Sequence, residues 1–374
     1  MTMKNVYMVE YQGRCDENGK AVGHAPKVLN EYFNFIKDYT NVTVFAPKPI
    51  LAEFDSANAS TVMLDKHIVM KGKTPFLEKI TNKLTMFSNA SKAYKSAAKD
   101  SNSIVWFFNV EYFVMLWFAF SPYVTKASSK KMHPKVVVTM FFDGFHADKN
   151  ASVINKLNAS FKQWVFERAQ QKFDLIIATG EKFSYNNTRS VFIPDYYYIP
   201  EVFDKYREAE KKNEAVCLGT MGKGKQLKEM VEAFSRIGYP LTIAGRFYDK
   251  NLVAELKKNS SDNIKIIDEY LTNDEYLSLL SKAKYTILPY PSNYATQTSG
   301  VMQEAMFLNT IPVTYTSILN GNCILGIGFD SWDELNGDML ETNCSEIIEE
   351  YNNKINGAYS KAYATENYKK IFKD

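Results

Sequence analysis

Cysteine is scarce in this 374-residue chain, with four residues at Cys15, Cys217, Cys323 and Cys344. They lie far apart, form no C-x-x-C pair and have no histidine cluster beside them. Neither a zinc site nor a disulfide framework is indicated, and a reducing cytoplasm suits them best. No D-x-D triplet occurs anywhere, and no G-x-G-x-x-G follows the first strand, which removes the dinucleotide fingerprint. Long hydrophobic runs are also missing. The most apolar stretch, residues 104–120, is short for a membrane span and carries Asn109 and Glu111 near its middle, where charge at bilayer depth is costly. It reads as a buried strand followed by an apolar helix. The first residues, M-T-M-K-N-V-Y-M-V-E-Y, enter a strand directly without the apolar region of a signal peptide.

What is present suits a globular enzyme. A hydrophobic fraction of 45% and a charged fraction of 23% exclude disorder. The length exceeds what one hydrophobic core organises, so two domains are expected. The net charge of +3 hides an asymmetry. Residues 1–214 carry 29 Lys and Arg against 22 Asp and Glu, and residues 215–374 carry 16 against 20. The basic first half suits a peripheral contact with anionic lipid head groups or an anionic acceptor, although lysine also serves solubility.

In chain order, strands are expected at 6–10 and 42–46 with a helix at 26–37 between them, the start of a doubly wound sheet. A basic amphipathic helix over 77–99 follows. It has the pattern of a membrane-surface helix, and a solvated surface helix is the simpler reading. The unbroken apolar run 135–142 predicts a fully buried strand. At its carboxyl end stands D-G-F-H-A-D, placing Asp143 and His146 where open α/β sheets carry reacting groups. A helix at 152–172 and strands at 175–179 and 190–193 complete the first half. Glu10 and Asp16, near the first strand tip, are weaker acceptor-side candidates. The charged run 204–214 reads as a linker or exposed helix. A second strand–helix rhythm then runs through strands at 215–219, 241–244 and 264–267 and helices at 226–237, 249–258 and 273–283. A final helix at 360–372 is expected to pack back across the linker.

The stretch 285–315 carries the strongest chemical signal. It reads as a short buried strand, a loop punctuated by Pro289 and Pro291, a helix opening near Ser299, and a second strand from Pro312. The unpaired N–H groups of Ser299, Gly300 and Val301 at a helix start favour a bound anion. Glu304, one turn on, is placed to accept hydrogen bonds from sugar hydroxyls. Each feature has a plain structural counterpart as well: an N-cap, a close backbone approach and a solvated carboxylate.

With Gly219 after its first strand, Lys225 before its first helix, Gly245 after its second strand and Glu304 near its end, the stretch 215–315 resembles the nucleotide-binding domain of GT-B-fold glycosyltransferases, in particular the bacterial glycosyltransferase group 1 family. These four stand where that family has a glycine, a lysine, a second glycine and a late glutamate. The resemblance implies that Lys225 neutralises the departing diphosphate, that Ser299, Gly300 and Val301 offer amides to it, and that Glu304 holds the ribose. Three positions depart from the pattern. Thr220 replaces an arginine, so that phosphate contact is either missing or supplied by Lys223, and Thr296 replaces a first glutamate that touches the donor sugar. Gln226 replaces a glycine. His146 resembles the family's catalytic-region histidine, and Asp143 is the stronger base for an inverting reaction. The lack of a D-x-D triplet implies a metal-independent site in which Lys225 and amides stand in for the cation.

The expectation is therefore an α/β protein of two Rossmann-like domains facing each other across a cleft. Residues 1–205 would bind the acceptor, 206–357 the nucleotide-sugar, and a helix at about 358–374 would return to the first domain. The expected activity is transfer from a nucleotide-sugar, a UDP-sugar by family frequency, to a glycan or lipid-linked saccharide in surface polysaccharide assembly. No further cofactor, metal or nucleic acid is expected, and the location is the cytoplasm at the inner membrane face. Two alternatives stand beside it: an epimerase or phosphorylase on the same fold, and a noncatalytic nucleotide- or glycan-binding protein, which Thr220 and Thr296 keep open.

Overall fold

The computed structural model describes residues 3–21, 25–55, 59–70, 75–100, 102–108, 110–124, 133–147, 152–185, 189–222, 224–247 and 249–373. The chain divides into two units. The first comprises residues 1–179, 183–193 and 364–374, and the second residues 180–182 and 194–363. The expected boundary at 205 thus falls one helix later than the division at Pro194, and helix Pro200–Arg207 lies in the second unit.

The first unit holds a seven-stranded parallel sheet in the order Ser60–Leu64, Thr40–Pro47, Lys4–Val9, Ser103–Phe108, Lys135–Met140, Leu175–Ala178 and Ser190–Phe192. The chain starts in the middle, builds one edge and then crosses to build the other, the doubly wound arrangement with a switch point between Lys4–Val9 and Ser103–Phe108. Sequence explains the central strands. Every residue of Ser103–Phe108 is buried, as a strand covered on both faces demands. Its alternation sends Val105 and Phe107 into a core with helices Phe76–Ala97, Tyr112–Phe120 and Val153–Gln170. Trp106 and Phe108 take the opposite face.

Helix Ala25–Ile36 and the end of helix Lys361–Phe372 cover that opposite face. Tyr32 stacks on Trp106 at 5.0 Å, Tyr368 stacks on Phe35 at 4.8 Å, and the Phe372 ring lies 4.6 Å from Trp106. The C-terminal segment is therefore part of the first unit's core.

The second unit holds a six-stranded parallel sheet in the order Ile264–Asp268, Leu241–Gly245, Lys212–Leu218, Ala283–Ile287, Ile311–Tyr315 and Ile327–Phe329. Its switch point lies between Lys212–Leu218 and Ala283–Ile287. Local signals set the helices. Thr272 and Glu275 form a reciprocal capping box, and Asp249 caps Lys250–Asn259. The charged run 204–214, expected as a linker or exposed helix, opens in the last turn of helix Pro200–Arg207, largely exposed, and runs into strand Lys212–Leu218, with one side chain drawn inward. Lys211 is largely buried, and its Nζ donates to Ala283 O at 3.2 Å, Leu308 O at 2.8 Å and Thr310 Oγ1 at 2.7 Å.

Replacing Phe372 by alanine removes a fully buried ring from the Trp106 cluster. The expected loss is about 3–5 kcal/mol. It should appear as a lower urea midpoint in the part of the tryptophan fluorescence that comes from Trp106, Trp117 and Trp164 of the first unit, Trp332 reporting the second.

Candidate functional site

The site in the second unit begins with two backbone turns at its strand tips. Gly219 follows Lys212–Leu218 with φ +98°, and Gly245 ends Leu241–Gly245 with φ +146°, both in the region that side chains avoid. The two chains touch: Gly219 N donates to Ala244 O at 3.1 Å, and a Cβ on Gly245 would sit 1.9 Å from Gly219 O. Beyond this contact Met221 N donates to Arg246 O at 2.9 Å. The loop leading to Lys225 is tied across the switch point, where Gln226 N donates to Pro289 O at 2.7 Å. Gln226 Oε1 also accepts from Trp332 Nε1 at 2.9 Å, a use for glutamine at a position where glycine was the family pattern.

Those ties bring Lys225 to the loop after Ala283–Ile287. Its Nζ lies 5.6 Å from the centre of the Tyr290 ring, and Tyr290 in turn stacks on Tyr294 at 4.2 Å. Helix Gly300–Phe307 opens beside them. Ser299 is buried and caps it, with Oγ accepting from Met302 N at 3.4 Å, but Ser299 N donates to Asn322 Oδ1 at 3.1 Å, so it is not the unpaired amide expected from the sequence. Asn322 is held by donating to Gln297 O and Ile318 O. Among the described residues no acceptor meets the N–H of Gly300 or Val301. Gly300 carries no side chain because the Tyr196 ring covers it, 3.0 Å from where a Cβ would stand.

Glu304, one turn along, is half-buried and accepts from the Tyr276 hydroxyl at 2.8 Å. Burial, then the Glu304 charge, pushes the Tyr276 phenol well above its ordinary range. Burial likewise raises Tyr290, partly offset by the Ser299 hydroxyl. Both remain donors at neutral pH. Cys217, under the first turn, is pushed up to about 11 by burial against the opposing pull of Lys225. It is an inert thiol.

Gly219, Lys225, Gly245, Ser299, Gly300, Val301 and Glu304 thus share one end of one sheet. Thr296 closes the short turn Ser292–Thr296, its Oγ1 donating to the Asn293 carbonyl at 3.5 Å. Lys223 lies outside the described residues. Tyr196, Tyr276, Tyr290 and Asn322 complete the site without having been singled out. Tyr290 sits in a conspicuous P-Y-P, but Asn322 arrives from a distant helix that no spacing reveals.

In the first unit Asp143 and His146 follow strand Lys135–Met140. His146 Nε2 stands 3.4 Å from Asp143 Oδ1, an ion-pair distance without hydrogen-bond alignment. Burial holds the Asp143 carboxyl above its usual range, with the His146 charge opposing. Gln163 fixes the turn, accepting from Phe145 N at 2.9 Å and donating to Glu167. Glu10 is built into the fold: its buried carboxylate accepts from Gln12 N at 3.1 Å and Gly13 N at 2.9 Å, locking the first strand tip. Asp16 accepts from Asn18 N and Lys20 N within its own turn. Both are loop organisers.

No family model and no curated protein sequence matches the chain. Solved structures do match in shape. OtsA, a trehalose-6-phosphate synthase, aligns at a TM-score of 0.62 and 8% identity over 99% of this chain and 98% of its own. The alpha,alpha-trehalose-phosphate synthase (UDP-forming) of Burkholderia xenovorans, in complex with glucose-6-phosphate, aligns at 0.58 and 10% over 99% of both chains. HepE of Anabaena, in complex with UDP and glucose, aligns at 0.51 and 12% over 99% of this chain and 96% of its own. The fold is that of the GT-B glycosyltransferases. Both sheets have the doubly wound Rossmann strand order, with the first strand in the middle and the chain building one edge and then the other.

Gly245→Ala forces a methyl into the Gly219 carbonyl and is expected to give a destabilised or insoluble protein. Gly219→Ala meets no neighbour but strains φ, at a cost of about 1–2 kcal/mol. Gly224→Ala meets nothing and should melt like the parent. Thermal denaturation of the three variants checks the ranking, and an unaffected Gly245→Ala protein overturns the contact.

Proposed function

We propose that the chain is a glycosyltransferase that moves a sugar from a nucleotide-sugar, a UDP-sugar, to a glycan or lipid-linked saccharide acceptor in surface polysaccharide assembly. One observation carries the reading. A lysine, a capped helix start with two open amides and a carboxylate converge at the switch point of a GT-B sheet, the position where open α/β folds bind ligands. Likeness to a UDP-forming synthase and to a UDP-bound neighbour supports that carrier.

In this reading the diphosphate lies across the Gly300 and Val301 amides, where the helix dipole and unpaired N–H groups favour negative charge. Lys225, with Lys223 as the second cation, offsets the charge that builds as the nucleoside diphosphate departs. Such preplaced charge acts mainly on the transition state. Glu304, oriented by Tyr276, accepts from the ribose hydroxyls. Gly219 and Gly245 let the backbone approach the donor, and Thr296 faces the sugar. Ammonium and amides do here the work that a cation does elsewhere. On the acceptor side Asp143 takes the proton from the attacking hydroxyl and His146 hydrogen-bonds beside it. A carboxyl raised by burial is a better base than a free one. The place of action is the cytoplasmic face of the membrane. Among the described residues no helix is long and apolar enough to cross it, and a peripheral contact serves instead.

Lys225→Ala and Glu304→Ala are each expected to raise the UDP dissociation constant about tenfold to a hundredfold, the worth of one charged hydrogen bond. Calorimetry checks this, and wild-type affinity in both removes the site. Asp143→Asn should lower kcat by about a hundredfold or more with UDP affinity unchanged. In the parent, activity should fall as pH drops through an apparent pKa above the usual carboxylate range, since the base must be ionised. That acid limb should vanish in Asp143→Asn. Chelator should leave turnover intact, and a strict manganese or magnesium requirement counts against the cation-free site. Turnover of a nucleotide-sugar without an added acceptor would favour the epimerase alternative.

A further inference from the structure

The outer faces of two helices in the first unit are apolar where a solvated helix is polar. On helix Phe76–Ala97 the exposed large side chains are Phe76, Leu77, Ile80, Leu84 and Phe87. On Val153–Gln170 they are Val153, Ile154, Leu157, Phe161 and Trp164. Both sets follow the same spacing, i, i+1, i+4, i+8 and i+11, which at 100° per residue is one stripe along one side of each helix. Exposure is high: Phe76 is 75% exposed, Leu77 77% and Ile154 77%. The core-facing residues of Val153–Gln170 (Val165, Phe166 and Ala169) lie on another side, so the stripe is additional to what the fold uses.

The two stripes are joined. Helix Tyr112–Phe120 lies between them, with the Phe87 ring edge-on to Trp117 at 6.1 Å and the half-exposed Phe120 5.7 Å from Trp164. The result is a continuous apolar face over three helices, larger than the scattered exposed apolar residues a monomer normally tolerates.

Charge identifies what covers it. The three helices carry seven basic residues, Lys79, Lys83, Lys92, Lys95, Lys156, Lys162 and Arg168, against two acidic ones, Glu78 and Glu167. Three of the cations rest on aromatic rings at the edge of the face. Lys83 Nζ is 4.1 Å from the Phe113 centroid, Lys162 lies over Tyr112 and Phe145, and Arg168 over Phe120 and Trp164. Apolar stems along apolar surface with charged heads at its margin are the arrangement of side chains at a lipid interface. A protein partner is less well matched, because the cores of protein interfaces are depleted in lysine.

We propose that this face docks on an anionic lipid surface, the two stripes entering the acyl boundary and the lysines meeting lipid phosphates. The proposal goes beyond the donor-site reading and stands whether or not the second unit binds a nucleotide. It is tested on the full chain by sedimentation with vesicles of phosphatidylcholine alone and of phosphatidylcholine with phosphatidylglycerol. Partition into the anionic vesicles should exceed that into the neutral ones by about tenfold or more, and should fall with added salt. Ile154→Ser combined with Leu157→Ser, and separately Leu77→Ser with Leu84→Ser, should each lower partition by about tenfold. Because these side chains are exposed, both variants should melt like the parent. Lys79→Glu with Lys83→Glu should abolish the preference for anionic lipid. UDP binding measured on the same variants should be unchanged, which separates this test from that of the donor site. Absence of vesicle binding, or binding indifferent to the serine variants, overturns the proposal. So does concentration-dependent self-association of the parent without lipid that the serine variants lose, which would make the face a contact between copies.

Discussion

Everything at the candidate site depends on how closely two strand ends approach. Gly219 and Gly245 stand at the ends of adjacent parallel strands, and the Gly219 carbonyl leaves no room for a Cβ on Gly245. That contact fixes the first loop against the second. The Gln226 amide, bonded to Pro289 O, then fixes the same loop across the switch point. Three strand tips are therefore held to one another by backbone alone. The side chains that follow inherit that rigidity, Lys225 on one side and Ser299 on the other. The proposed function, which places charge against a diphosphate, needs such preorganisation, since a loose ammonium ion would be solvated rather than positioned.

Around that frame the chain has used tyrosine where other solutions are conceivable. Tyr290 and Tyr294 stack, Tyr196 lies on Gly300, and Tyr276 holds Glu304. Burial keeps Tyr276 and Tyr290 protonated, so these rings offer an apolar wall and a hydrogen-bond donor in one residue. Thr296 and Thr220 are short and uncharged. In the proposed function the polar contacts to the donor therefore fall on Lys225, the open amides and Glu304.

Much of the fold was legible because its signals are local. The run K-V-V-V-T-M can only be a strand covered on both faces, and Thr272 with Glu275 announces a helix start. Grouping of the site residues was legible for a related reason: Gly219, Lys225, Gly245 and Glu304 each sit at a fixed offset from a strand end, and parallel strands bring all such ends to one edge. What could not be read depended on distance. Asn322 reaches Ser299 from a helix 23 residues away in sequence. Lys211 looked like part of a solvated charged run, yet its three acceptors come from segments about 70–100 residues further on. Glu10 and Asp16 looked like chemistry at a strand tip. Their carboxylates are instead consumed by neighbouring amides, and a carboxylate saturated in that way serves the loop.

The basic bias of the first half resolves into a place once the structure is considered. As a composition, 29 cations against 22 anions fits solubility as well as binding. On helices whose outward sides carry leucine, isoleucine and phenylalanine, Lys83, Lys162 and Arg168 acquire a direction, because each stands over an aromatic ring at the margin of surface that water disfavours. A hydrophobic stripe alone would favour any apolar partner, and a lysine cluster alone any anion. Only a surface that is both apolar in depth and anionic at its boundary satisfies the two at once. On the proposed function, with a lipid-linked saccharide as acceptor, holding the first unit at such a surface would convert the search for acceptor from three dimensions to two and raise its local concentration without any change in the second unit.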